Sequence, residues 1–274
     1  MRKWTFSKTH ATLNDFVVLQ DRHAMLPLTE ADVRALTDRR AGVGGDGVLR
    51  AVKAQHIPGW DGDPDIWFMD YRNADGSIAE MCGNGLRAFV RYLLDMDLVS
   101  GDEIHIGTRA GLRIAWPQPD GQIRTWMGEA RLTGAAVRVS AEGRSWPAVP
   151  VDVGNPHAVV RLDTVDELDS LRLLEGPSWE PAEAFPDGVN VEFVALVGEN
   201  HLRMRVFERG AGETMSCGTG VVAAAAAMSG GRDGVYLVDV PGGRLRVELT
   251  GEGAFLTGPA VLVGTGDVLL PDAE

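Results

Sequence analysis

Apolar and polar positions along this chain fall into two matched sets of short segments. Ile66-Trp67-Phe68-Met69-Asp70-Tyr71 is a compact run of branched and aromatic residues, the composition of a buried strand. It passes through the turn residues Asn73-Ala74-Asp75-Gly76-Ser77 to Met81-Cys82-Gly83-Asn84-Gly85. Beyond Cys82 the period changes. Leu86, Phe89, Val90, Leu93 and Leu94 recur at helical spacing, which puts Arg87 and Arg91 on the opposite, polar side. The second set repeats this order. Leu202 to Phe207 alternates as a strand, Gly210-Ala211-Gly212 turns, and a helix begins at Cys217-Gly218-Thr219-Gly220. Its body, Val221 to Met228, is almost wholly apolar, so burial on every side is expected, and Gly230-Gly231 would end it.

The echo extends upstream. Asn73 lies nine residues before Cys82 and Arg209 eight before Cys217. Asn14-Asp15-Phe16-Val17-Val18 stands 68 residues before Cys82, and Asn155-Pro156-His157-Ala158-Val159 stands 62 before Cys217. Two echoes in one order with similar spacing indicate duplicated halves. Most of the remainder reads as short strands broken by Gly, Pro and Asp: Phe16 to Leu19, Leu112 to Trp116, Val137 to Val139, Ala158 to Leu162, Val191 to Leu196, Tyr236 to Val240 and Leu245 to Leu249. The turn-rich Pro117-Gln118-Pro119-Asp120-Gly121 divides the halves. The expected fold is α/β (α+β), with residues 1–118 carrying Cys82 and 119–261 carrying Cys217. Each half would be a curled sheet around one helix.

Composition narrows the function. Hydrophobic residues at 45% and charged residues at 24% are those of an ordinary globular protein. A net charge of −13 argues against a nucleic-acid partner or an anionic membrane surface, both of which want a basic face. No apolar run near the N-terminus resembles a signal peptide, and the eight apolar residues from Val221 fall short of the about 20 that span a bilayer. A cytoplasmic location is therefore expected. Two cysteines make neither a disulfide scaffold nor a four-cysteine zinc site, and in a reducing compartment both thiols stay reduced. The three lysines, Lys3, Lys8 and Lys53, disfavour pyridoxal phosphate, which needs a lysine Schiff base. Close-spaced metal-ligand motifs do not occur.

The chemistry is expected at the two cysteine loops. Each cysteine stands where a strand hands over to a helix. The first helical turn has unpaired N–H groups and partial positive charge, which favour a thiolate and a bound carboxylate. The glycines let a ligand approach the backbone. Two opposed acid/base groups are what inversion of a carbon stereocentre requires. One removes a proton from one face and the other returns a proton to the opposite face. The competing reading is that both thiols are buried packing residues.

Asn73-Ala74-Asp75-Gly76-Ser77 through Met81-Cys82-Gly83-Asn84-Gly85-Leu86-Arg87 resembles the first cysteine motif of the diaminopimelate epimerase family. Glu208-Arg209-Gly210-Ala211-Gly212-Glu213-Thr214 through Cys217-Gly218-Thr219-Gly220 resembles its second. Gly154-Asn155-Pro156-His157 and His10 through Asn14-Asp15-Phe16 match further landmarks, so the resemblance spans residues 10 to 220. It implies interconversion of LL- and meso-diaminopimelate for lysine and peptidoglycan synthesis, with no cofactor and no metal. Cys82 would act on the LL isomer and Cys217 on the meso isomer. Backbone at Gly83-Asn84 and Gly218-Thr219 would hold the carboxylate at the reacting carbon. Asn14, Asn73, Asn155, Asn190 and Arg209 would bind the ammonium groups and the distal carboxylate. Amides suit a zwitterion because they donate and accept, and an Arg fork suits a carboxylate. His157 and Glu208 would serve the thiols as relay or orienting groups.

The resemblance further implies two pseudo-symmetric barrel-like domains, a site in the cleft between them, residues 262–274 returning to the first domain, and a homodimer. The sequence departs from the family at Ala11-Thr12-Leu13, where Gly-Leu-Gly is usual, and at Gly47, where Gln is frequent. Proline or hydroxyproline racemases share the two-thiol logic but usually carry His where Asn84 stands. A non-catalytic amino-acid-binding or redox-sensing protein is the alternative of a different class.

Overall fold

The structure, a computed structural model, describes residues 1–272. The chain forms two compact units. One comprises Met1–Thr125 with the chain from Pro259 onward, and the other comprises Trp126–Gly258. Strands predominate in both. Four α-helices occur among the described residues: α1 (Glu30–Thr37), α2 (Gly83–Asp95), α3 (Val165–Ser170) and α4 (Gly218–Ser229).

The first unit is a strand succession beginning with the hairpin of Arg2–Ala11 and Asn14–Gln20. The latter runs parallel to Gly47–Lys53, which is antiparallel to Trp67–Asn73. Trp67–Asn73 is parallel to Ile104–Thr108, and two antiparallel steps follow through Gly111–Pro117. The strand Val261–Leu270 pairs antiparallel with Arg2–Ala11. The second unit has the same succession. Arg144–Asp152 and Pro156–Arg161 form the hairpin, and Pro156–Arg161 is parallel to Asn190–Gly198. An antiparallel step reaches His201–Glu208, a parallel step reaches Gly234–Val240, and two antiparallel steps reach Gly253–Gly258. In each unit a helix that starts at a cysteine fills the second parallel crossover. The sequence repeat is therefore a structural repeat.

Two-residue alternation decides what each sheet face packs against. Phe16, Val18, Leu49, Ala51 and Met69 point to α2 and meet Leu86, Phe89, Val90 and Leu93. The alternate residues Val17, Leu19 and Val48 meet Val33 and Leu36 of α1 on the other face. α1 was not among the expected elements. Its start is a capping box, with Thr29 accepting from the Asp32 N–H and Asp32 returning to the Thr29 backbone. In the second unit Val137, Val139, Ala158, Val160, Val191 and Phe193 pack with Leu168 of α3. α4 is buried from Gly220 through Ala226, as its uninterrupted apolar sequence requires. It ends at Gly230 in the left-handed region, φ 66°, with the Gly230 and Gly231 N–H groups closing on Ala227 and Ala226.

Arg87 departs from the expected pattern. The periodicity of α2 assigns it to a polar outer side, yet it is fully buried. The hairpin turn at Thr12 and Leu13 covers that side of the helix. Arg87 donates to Asn84 Oδ1 at 2.7 Å, and to Gly83 O and Thr12 Oγ1 at 3.4 Å. A guanidinium can be buried where its fork finds acceptors, and here three are provided. Burial pulls its pKa down to about 10, while the nearby Cys82 thiolate form acts in the opposite direction.

Candidate active site

In the first unit Cys82 is the N-cap of α2. Its sulfur accepts from the Gly85 N–H at 3.4 Å, and its carbonyl accepts from the Leu86 N–H at 2.8 Å. The first N–H groups of a helix have no carbonyl one turn back to bond to, so a helix start favours an anionic acceptor. Cys82 Sγ donates to Asn14 Oδ1 over 3.8 Å, and Asn84 Nδ2 donates to the same oxygen at 3.2 Å. Asn14 Nδ2 donates to Asp46 Oδ2 at 2.6 Å. This last bond fixes the amide so that its oxygen faces the thiol. Asp46 is thus a residue of this site that the motif reading omitted. It is itself held by Arg39 at 2.7 Å, which also binds Asp15. Burial raises the Asp15 carboxyl, but hydrogen bonds from Arg39 and Lys8 outweigh it and bring the group down to about 2. Asn73, the cross-strand partner of Gly47, donates to Ser77 Oγ at 3.0 Å.

The departure at Gly47 has a packing reason. Gly47 lies against the neighbouring strand, where a Cβ would meet Arg72 O at 2.5 Å and the Tyr71 ring at 2.7 Å. With this backbone the position admits no side chain. Thr12 and Leu13 both occupy the left-handed region, φ 49° and 62°. Such residues are strained. Thr12 gives its hydroxyl to buried Arg87 in return.

The second unit surrounds its cysteine differently. Cys217 is the N-cap of α4 and is 6% exposed, with Thr219 Oγ1 at 3.5 Å. On the strand faces that look toward α4, three neighbouring strands carry His157, Glu192 and Glu208. His157 Nδ1 and Glu192 Oε1 lie 2.7 Å apart, and both residues are fully buried. His157 Nε2 stands 3.0 Å from Asn155 Oδ1. Glu208 accepts from the Thr214 hydroxyl. Burial pushes the Cys217 thiol well above its ordinary range, and the carboxylates of Glu208 and Glu192 push it further. Burial also raises the Glu192 carboxyl, against the pull of His157.

Glu192 was absent from the sequence reading. The signal for it was a single carboxylate inside the apolar run Asn190-Val191-Glu192-Phe193-Val194. Asn190 is buried and already engaged, donating to Pro156 O at 3.3 Å and accepting from the Arg209 N–H at 3.0 Å. It therefore also fixes the backbone at Arg209, whose side chain donates to Asp187 O at 3.0 Å. Gly220 gives the Glu192 carboxyl its room, since a Cβ there would stand 2.6 Å from Oε1 and force the carboxyl to shift. Both cysteines are free thiols. Among the described residues no three His, Cys, Asp or Glu side chains gather as a metal cage, and no helix is long and apolar enough to cross a membrane.

The profile of the diaminopimelate epimerase family matches residues 6–133 and 149–263. The chain belongs to the diaminopimelate epimerase family. Among its relatives, the diaminopimelate epimerase of Streptomyces coelicolor is 46% identical over 96% of this chain and 94% of that protein. That of Thermobifida fusca is 48% identical over 97% of this chain and 98% of that protein. Membership makes the protein an isomerase. The fold is shared more widely. A PhzF-family phenazine biosynthesis protein of Bacillus anthracis superposes with a TM-score of 0.70 at 18% identity, covering 98% of this chain and 100% of that one. A hydroxyproline epimerase from Agrobacterium vitis superposes with a TM-score of 0.65 at 18% identity, covering 99% and 94%.

Proposed function

We propose that this protein interconverts LL- and meso-diaminopimelate by proton transfer at one α-carbon, with Cys82 and Cys217 as the two acid/base groups. The observation that carries the reading is the pairing of two cysteine N-caps at equivalent places in two halves of one strand order. A relative named diaminopimelate epimerase, 46% identical over nearly the whole chain, supports the substrate.

Acting on the LL isomer, the Cys82 sulfur takes the α-proton as the C–H bond breaks. The electron pair stays on the carbon and spreads into the adjacent carboxylate. N–H groups of Gly83, Asn84, Gly218 and Thr219 are suited to hold that carboxylate, because the first turn of a helix favours growing negative charge. Cys217 then delivers its thiol proton to the opposite face. The burial and carboxylates that keep Cys217 protonated fit it to be the donor in this direction. Turnover leaves Cys82 as thiol and Cys217 as thiolate, and exchange with solvent restores the start. Both protons move through the chain's own thiols.

Asn14, Asn73, Asn155, Asn190 and Arg209 bind the ammonium groups and the distal carboxylate, and His157 and Glu208 orient the reacting groups. By family resemblance the enzyme works as a cytoplasmic homodimer that supplies meso-diaminopimelate for lysine and peptidoglycan synthesis. Proton NMR of LL-diaminopimelate in D₂O with reduced protein tests the reading. Loss of the α-proton signal and growth of the meso isomer are expected. No exchange with both thiols free would overturn it.

A further inference from the structure

His157 and Glu192 form a fully buried pair. One proton lies in the 2.7 Å contact, on nitrogen or on oxygen. Nε2 faces Asn155 Oδ1 at 3.0 Å and must donate to it, because an amide oxygen only accepts. The pair is therefore neutral overall whichever atom holds the shared proton. With the proton on His157, Glu192 presents a full negative charge beside the first turn of α4. With the proton on Glu192, that charge is gone. Gly220 lets the carboxyl lie against this turn, and Glu192 Oε2 is buried with no hydrogen-bond partner.

The other charged groups near Glu192 are few. The strand Pro156–Arg161 directs His157 to the same face, and His201–Glu208 directs Glu208. α4 contributes Cys217 alone. Arg205, on the alternate face of its strand, is engaged by Glu213 and by the carbonyls of Leu168 and Leu171.

We propose that Glu192 is a positioning residue of the second half-site, holding Cys217 as a thiol at rest and taking the shared proton from His157 when Cys217 becomes a thiolate. The N–H bond of His157 Nδ1 breaks and an O–H bond forms on Glu192, so the thiolate appears next to a neutral carboxyl instead of an ionised one. The inference rests on the two-thiol reading for its role in turnover, and stands apart from it for its effect on Cys217.

The test uses the full chain with Cys82→Ala, which leaves Cys217 as the sole cysteine. Its thiolate ultraviolet absorbance is followed against pH with Glu192 and with Glu192→Gln. Removing the carboxylate is expected to lower the midpoint by about one pH unit or more, roughly tenfold more thiolate at a given pH. With both cysteines intact, Glu192→Gln is expected to lower kcat roughly 10- to 100-fold while KM stays within about twofold. A midpoint that stays put, or a kcat that does not fall, overturns the proposal. If Glu192→Gln does not fold, nitrogen-15 NMR of His157 in the unsubstituted protein decides. A protonated Nε2 with a shared proton at Nδ1 is expected, and an Nε2 without a proton overturns it. Failure of the epimerase reaction itself would show as no α-proton exchange by the unsubstituted protein, with the Cys217 titration still readable.

Discussion

The two half-sites start from one plan and surround their thiols with different groups. Around Cys82 the neighbours are amides and a buried guanidinium: Asn14 and Asn84 meet at one oxygen, and Arg87 holds Asn84 from behind. Around Cys217 the neighbours are a buried imidazole–carboxyl pair and a second carboxylate, and these push its proton affinity up. Duplication supplied the strand order and the helix N-termini. Divergence supplied what faces each thiol. The lesson is that a symmetric scaffold can hold a chemically asymmetric pair, one side suited to accepting a proton and the other to keeping one.

The strongest way to break this comparison is to remove one thiol at a time. Cys82→Ala and Cys217→Ala should each lower epimerisation by about 10³-fold or more, the scale of a lost acid/base group. The two variants should differ in residual exchange. The chain that keeps Cys82 should wash deuterium into the LL isomer alone, and the chain that keeps Cys217 into the meso isomer alone. Exchange into both isomers by one variant would remove the division of labour.

Next in size is a pair of glycines at matched places. Gly220→Ala puts a Cβ 2.6 Å from the Glu192 carboxyl, and denaturant unfolding should show a loss of about 1–3 kcal/mol. Gly85→Ala meets only ordinary contacts of 3.4–3.6 Å from Cys82, Leu49 and Phe16, so it should be neutral or gain up to about 1 kcal/mol from helix propensity. Equal losses at both positions would mean that the carboxylate is not what distinguishes the second loop.

A smaller effect concerns Asp15, whose hydrogen bonds to Arg39 and Lys8 lie behind Asn14. Its carboxyl is brought down to about 2 in the fold, against about 3.9 for an unfolded Asp. The lowered group stabilises the fold above the unfolded value, and that contribution is lost as pH falls from about 4 toward 2. Asp15→Asn should cost about 1 kcal/mol at neutral pH and clearly less near pH 2, where the group is half protonated, read from urea midpoints at both. The smallest effect lies at the hairpin. The second half has Gly154 at φ 84° just before Asn155, where the first half has Leu13 at φ 62° just before Asn14. Leu13→Gly should raise stability by about 0.5–1 kcal/mol in the same assay.

Much of the scaffold was legible in the sequence because it is written in local patterns. The strands at Ile66 and Leu202, the change of period at each cysteine and the glycine stop after α4 follow from burial alternation and capping. α1 escaped because its eight residues, Glu30–Thr37, mix charged and apolar residues too evenly for a short stripe to stand out. The two candidate cysteines stood out through motif spacing, while the candidate asparagines and Arg209 were named through the family resemblance. Arg87 was read as a surface residue because helical periodicity knows only its own helix. It cannot see the Thr12–Leu13 turn that covers the far side.

By itself the sequence determined the duplicated strand–turn–helix plan, the two thiols at helix starts and the membership of an isomerase family. These depend on residues near one another in the chain, where spacing fixes geometry. Tertiary structure alone decided the surroundings of each thiol. His157 and Glu192 are 35 residues apart, and Thr12 and Arg87 are 75 apart. Only the folded sheet brings those pairs within hydrogen-bond reach and removes them from water. Burial is what turns an ordinary carboxylate or guanidinium into one that sets the protonation of its neighbour.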